Sequence, residues 1–141
     1  MALASRVTHR RAPVTVIGSG AAGLACALAL APEPVLLLTK TAAPAGGSSL
    51  LSQGGIAAAL GDGDSPARHA ADTLRTGGGL AERARVATLT RDGQAVMRRL
   101  IGSGFPADRD AGGRLKLGRE GAHGRPRIVH AGGDATGRNL V

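Results

Sequence analysis

The sequence predicts an α/β fold built on a parallel sheet, and three observations predict it. A β-branched run, Val14-Thr15-Val16-Ile17, reads as a buried strand. A glycine-punctuated turn, Gly18 to Gly23, follows it and runs into a strong helix former, Ala21 to Leu30. Past Pro32 and Pro34 a second apolar run, Val35 to Thr39, reads as another strand. Strand, turn, helix and strand in so short a segment describe two parallel strands joined by a crossover helix.

The rest of the chain is read in order. Pro44 to Gly55 is a Gly/Ser segment, and Ile56 to Leu60 is a short apolar piece. Ser65 suits an N-cap with Pro66 at the first helical position. That helix runs to about Thr76 and stops at Gly77, Gly78 and Gly79. A second helical stretch, Glu82 to about Ser103, carries Val86, Leu89, Val96, Leu100 and Ile101, with Gly93 as a place where it could break in two. Asp110-Ala111-Gly112-Gly113 reads as a turn, and Arg127 to His130 as one more strand.

Composition narrows the class. Of 141 residues, 23 are glycine and one, Phe105, is aromatic. That glycine share is well above the average of roughly 7%. No three-residue period accompanies it, so a collagen-like helix is excluded. At 43% apolar and 20% charged the chain is globular. Its core must be built from Ala, Val, Leu and Ile, which bury little area each.

The 18 Lys+Arg against 10 Asp+Glu give a net charge of +8. A nucleic-acid role is disfavoured, because the arginines are scattered from Arg6 to Arg138 and no stacking aromatics accompany them. The densest basic cluster, Arg6, His9, Arg10 and Arg11, falls in residues 1–12, expected to be a flexible tail. Cys26 is the only cysteine, so it has no disulfide partner and belongs to no cysteine pair for zinc. Its place in an Ala/Leu run suggests a small buried apolar residue. No apolar stretch reaches the ~18–20 residues of a membrane span, and the chain reads as cytoplasmic. No metal site is expected.

The sharp motif is Gly18-Ser19-Gly20-Ala21-Ala22-Gly23, a G-x-G-x-x-G between a strand and a helix, the setting that makes it a dinucleotide-binding turn. Gly18 permits the tight turn, Gly20 lets a pyrophosphate approach the backbone, and Gly23 lets the helix pack on the strand. The helix N-terminus adds N–H groups and a positive dipole end. The acid that holds a ribose should come about 20 residues on. Thr39 and Lys40 stand there instead, which disfavours an ordinary NAD-dependent dehydrogenase. Lys40 can supply charge near the adenosine half. The fold is therefore Rossmann-like.

Gly47-Ser48-Ser49-Leu50-Leu51-Ser52-Gln53-Gly54-Gly55-Ile56-Ala57-Ala58, following such a turn, resembles the flavoproteins related to succinate dehydrogenase and fumarate reductase. Within that group the chain is most similar to the L-aspartate oxidases. Arg119-Glu120-Gly121-Ala122-His123, Arg127-Ile128-Val129-His130 and Asp134-Ala135-Thr136-Gly137 strengthen the likeness. Thr39-Lys40 also matches it.

The resemblance implies a FAD-binding domain whose cofactor contacts include Gly18, Ser19, Gly20, Ala21, Ala22, Gly23 and Lys40. It adds Ser48, Ser49, Leu50, Leu51, Ser52, Gln53, Gly54 and Gly55. The flavin should be noncovalent. Respiratory members carry a flavin-linked histidine before Gln-Gly-Gly, whereas Ser48 stands here and no histidine lies between Arg11 and Arg68. The implied reaction is oxidation of L-aspartate to iminoaspartate, with oxygen or fumarate as acceptor, feeding quinolinate and NAD synthesis; quinolinate synthase is the candidate partner.

Glu120 is implied to orient the substrate by meeting its α-ammonium. Succinate and fumarate have no such cation, so a carboxylate facing them is repulsive. His123 and His130 are expected to support loop and strand, and Asp134 and Thr136 to order a turn. His9 is placed in the tail and His69 on a helix surface.

The resemblance further implies that residues 13–141 are the N-terminal portion of the FAD-binding domain. A third parallel strand, a capping domain, a C-terminal helical domain and the family's catalytic arginine and histidines would lie elsewhere, and the fragment alone should be inactive. Two alternatives stand beside this reading: a succinate dehydrogenase or fumarate reductase-like fragment, and a non-enzymatic nucleotide- or RNA-binding module.

Overall fold

The computed structural model describes residues 12–41 and 47–141. The expected basic tail, apart from Ala12, and Pro44 to Gly46 lie outside the described residues. The chain divides into two units, residues 1–50 with Val141 and residues 51–140.

The first unit follows the predicted order. Strand β1 (Val14–Ile17) leads through the glycine turn into helix α1 (Ala21–Ala29), which returns to strand β2 (Val35–Leu38). The strands are parallel, with Val14 opposite Val35 and Ile17 opposite Leu38. The Gly18 N–H extends the ladder by donating to the Leu38 carbonyl at 2.8 Å. A short 3-10 turn, Ser48–Leu51, straddles the division between the units.

Burial in this unit is thin. Val16 and Ser19 are buried, but α1 buries no residue. Cys26, expected inside, is exposed. A nine-residue helix lying on two strands is covered along one side only, and α1 is apolar all round, so its pattern does not mark which side that is.

The second unit is held differently. It contains strand β3 (Ile56–Ala57), helices α2 (Pro66–Thr76) and α3 (Arg83–Gly102), strands β4 (Leu117–Gly118) and β5 (Ile128–Val129), and the short helix α4 (Thr136–Leu140). The strands form an antiparallel sheet in the order β3-β5-β4, with Val129 facing both Ile56 and Leu117. β5 falls within the strand expected over Arg127 to His130, but two-residue strands carry no periodicity, so its antiparallel partners have no signal in the sequence. Ala58, Met97, Ala107 and Val129 form the core, with Ile56, Leu60, Leu100, Phe105 and Leu117 among the residues packed on it.

The helices obey their local signals. The Ser65 hydroxyl accepts the Arg68 N–H at 3.2 Å, with Pro66 in the first turn, and Gly77 ends α2. Helix α3 runs unbroken through Gly93, whose propensity cost of about 1 kcal/mol is small beside the packing of α2 on α3. Its inward face is Val86, Thr90 and Met97, whereas Leu89 and Val96 are 69% and 41% exposed. His69, assigned to a helix surface, is buried. It lies three residues before buried Asp72, on the face of α2 that meets Arg127. Among the described residues no helix is long and apolar enough to cross a membrane, and no group of side chains could hold a metal ion.

Candidate cofactor turn and substrate loop

The turn is built as the motif demands. Gly18 has φ +105°, a region that L side chains avoid. A Cβ on Gly23 would lie 2.0 Å from the Gly18 carbonyl oxygen, so helix and turn can close only over glycine. Gly20 is different. Its φ of −75° suits any residue, and a Cβ there would make an ordinary 3.4 Å contact with Ser49 Oγ. Among the described residues nothing demands glycine at position 20, whereas a phosphate resting on the backbone would. Gly20 caps α1 without a side chain, and no acid sits in the first helical turn to neutralise its positive end. Buried Ser19 lies inside the turn. Ser49 Oγ accepts the Ala21 N–H at 3.3 Å, which ties the Gly/Ser segment to the helix start. Lys40 is exposed just past β2. These features fit a dinucleotide phosphate.

Of the remaining cofactor candidates, Ser52, Gln53 and Gly54 are exposed, and Leu51 is 81% exposed. The Ser52 carbonyl accepts the Gly137 N–H at 3.0 Å, joining this segment to α4. Gly55 has a packing reason to be glycine, since a Cβ would fall 2.3 Å from Ile128 Cγ2 and 2.8 Å from the Val129 carbonyl oxygen. The turn lies in the first unit, and Ser52 to Gly55 and Glu120 lie in the second.

The loop from Arg119 to Pro126 rests on a buried ion cluster that the sequence reading missed. Arg127, fully buried, donates through Nε and Nη2 to both Asp64 oxygens at 2.9 Å, and through Nη1 to Asp72 Oδ2 at 2.9 Å. Asp72 Oδ2 also accepts the Gly124 N–H at 2.8 Å, and Oδ1 accepts Arg75 Nη2 at 2.5 Å. The Gly124 N–H, then Arg75 and Arg127, hold the Asp72 carboxyl well below the usual carboxylate range, against the opposing pull of burial. The available signal was a charged residue directly ahead of the apolar pair Ile128-Val129, with two acids at and beyond the start of α2.

The histidines belong to this cluster. His123 Nδ1 lies 3.3 Å from Arg127 Nη1, and the His123 ring meets His69 edge-on at 5.6 Å. His69 Nδ1 is buried with no hydrogen-bond partner among the described residues. Burial, then the charge of Arg127, pushes the His69 pKa down. Glu120 is exposed. Arg119 turns its Nε to the His123 carbonyl at 3.0 Å, so the two neighbours do not form an ion pair. Further on, the Thr136 hydroxyl accepts the Ala131 N–H at 3.2 Å, ordering its turn as expected. Asp108 accepts the Gly132 and Gly133 N–H groups at 2.8 and 3.0 Å, which lower its pKa.

Comparison with known proteins agrees with this geometry. A family model described as FAD binding domain matches residues 14–141. The L-aspartate oxidase of Mesorhizobium japonicum is 52% identical over 129 residues, covering 92% of this chain and 25% of the relative. That of Bacillus subtilis is 47% identical over 129 residues, covering 91% and 24%. Among solved structures, E. coli quinol fumarate reductase aligns with a TM-score of 0.81 at 28% identity, covering 92% of this chain and 22% of that one. A Mycobacterium smegmatis Sdh1 complex aligns with a TM-score of 0.80 at 29% identity, covering 90% and 23%. The chain thus spans about a quarter of the length of the curated relatives it matches.

Proposed function

Because the chain belongs to the FAD binding domain family, we propose that it is the N-terminal, cofactor-holding part of an L-aspartate oxidase. Its identity to L-aspartate oxidases is 41–52%, against 28–29% to the fumarate reductase and Sdh1 structures. The whole protein would oxidise L-aspartate to iminoaspartate, the first step towards quinolinate, with oxygen or fumarate as acceptor. It would work in the cytoplasm, with quinolinate synthase as the user of its product.

FAD, when bound, supplies the two-electron acceptor for the hydrogen leaving Cα. The chain's own residues do the binding. The backbone of Gly20 and the N-terminus of α1 carry the pyrophosphate, and Lys40 meets the adenosine half. Ser48, Ser49 and Gln53 would be available to hydrogen-bond the flavin, and Gly47 and Gly54 would let backbone come close to it. The link is noncovalent, since no histidine lies between Arg11 and Arg68. Glu120 pairs with the α-ammonium of L-aspartate and disfavours dicarboxylates that lack one.

The observation that carries the substrate reading is the exposed Glu120, its carboxylate without a partner among the described residues, on a loop whose backbone is pinned on both sides of His123. In the full-length protein, Glu120→Gln should impair L-aspartate oxidation more than fumarate reduction. Equal losses in the two assays would sink the ammonium-pairing role. The 141-residue chain alone should bind FAD weakly and release no peroxide with L-aspartate; measurable peroxide would contradict this.

A further inference from the structure

We propose that Arg75, in the last turn of α2, is a positioning residue that sets Glu120 for the amino group of the substrate; this rests on the reading of Glu120 given above. The loop that carries Glu120 contains no strand or helix, and its carboxylate has no partner among the described residues. The loop must therefore be held through its backbone. Arg75 Nη2 donates to the Ala122 carbonyl at 3.1 Å, two residues after Glu120, and reaches Asp72 Oδ1 with the same nitrogen. The other Asp72 oxygen takes the Gly124 N–H. Asp72 and Arg75 together thus grip the chain immediately before and after His123.

Three further features show that this grip works on Glu120. The His123 N–H donates to the Glu120 carbonyl at 3.3 Å, and Arg119 Nε to the His123 carbonyl, closing a tight turn over residues 119–123. Ala122 stands at φ +71°, the one non-glycine residue with positive φ among those described. A left-handed alanine is disfavoured and persists only where its surroundings over-determine it. A Cβ on Gly124 would come within 3.2 Å of Asp72 Oδ2, so the carboxylate sits close against the backbone.

Arg75 differs from its buried neighbours. Arg127 and Asp64 are enclosed and hold the unit together, whereas the Arg75 side chain is 60% exposed. Its single long-range bond is the one to Ala122. Removing it should cost modest stability, because the Arg75 end of the pair is exposed and buried Asp72 keeps Arg127 and the Gly124 N–H. What it removes is the fixed geometry of the turn.

The test combines kinetics of the full-length, FAD-loaded protein with hydrogen exchange on the protein without flavin. Arg75→Ala should raise KM for L-aspartate about tenfold while kcat changes by less than about twofold, and Arg75→Lys should recover part of the loss. In a Glu120→Gln background, Arg75→Ala should add nothing, because both changes remove one function. Without flavin, the His123 and Gly124 amides should exchange faster in Arg75→Ala, while α3 keeps its protection. Additive losses in the double variant, or unchanged exchange at His123 and Gly124, would overturn the positioning role. An effective Glu120→Gln beside an ineffective Arg75→Ala overturns this role alone. A Glu120→Gln that leaves L-aspartate kinetics untouched overturns both this role and the reading on which it rests.

Discussion

The two units solve the problem of a nearly aromatic-free chain in opposite ways. The first is a strand-turn-helix-strand piece in which α1 buries nothing and Ile17 and Leu28 are 83% and 75% exposed. Its sequence is governed by backbone geometry: Gly18 must adopt positive φ, and Gly23 must leave room for a carbonyl. The second encloses a small apolar core and, beside it, an arginine with two carboxylates. With side chains of modest size, burial alone gives little margin, and the polar cluster fixes which loop sits where. The glycine turn stands with thin packing, whereas the loop that carries Glu120 rests on a polar scaffold.

The largest expected effect tests the scaffold. Arg127→Met leaves the buried Asp64 carboxylate without its ion-pair partner and Asp72 with Arg75 alone, and should cost about 3–5 kcal/mol. Circular dichroism in a urea titration would measure it, since the chain has neither Trp nor Tyr. A loss below about 1 kcal/mol would mean the cluster is dispensable. Next comes the turn. Gly23→Ala forces a Cβ into the Gly18 carbonyl and should destabilise the first unit by about 1–3 kcal/mol, read at the amides of β1 and β2. Gly20→Ala sharpens the contrast, because the protein has room for that methyl. It should leave stability unchanged and weaken FAD binding in a fluorescence titration; equal affinity would remove the phosphate from position 20.

Smaller still is the α2 cap. Ser65→Ala removes the bond to the Arg68 N–H and should cost about 1 kcal/mol in thermal unfolding. The mildest test is pH. The folded pKa of His69 lies below its ordinary 6.5, so the unfolded chain takes up the proton first. Its contribution to stability is complete above 6.5 and fades as pH falls below it. Asp72 acts in a lower window: its depressed pKa gives stability that is present above 3.8 and lost as pH falls below that value. A His69→Gln variant should flatten the upper window only.

Legibility follows the same division. The elements of the first unit were readable almost to the residue, because each has a local signature and the crossover that pairs its strands is short. Helices α2 and α3 were readable for the same reason, by cap, proline and glycine stop. Of the antiparallel sheet only β5 was readable, and its pairing was not, since the strands are two residues long. His69 and Cys26 went wrong in opposite senses, each because burial depends on what lies opposite a helix face. Of the candidate site, the turn and the loop bearing Glu120 were visible as motifs; the cluster holding that loop was not.

The sequence by itself determined the strand-turn-helix-strand order, the glycines of the phosphate turn, the helix ends and the family likeness. All of these rest on backbone preferences or on residues adjacent in the chain. Only the tertiary structure decided that Arg127 is buried, that it joins Asp64 and Asp72 across separations of 63 and 55 residues, and that Arg75 reaches the Glu120 loop. A charged side chain reads as solvated until its partners are known, and no local rule names partners that far apart.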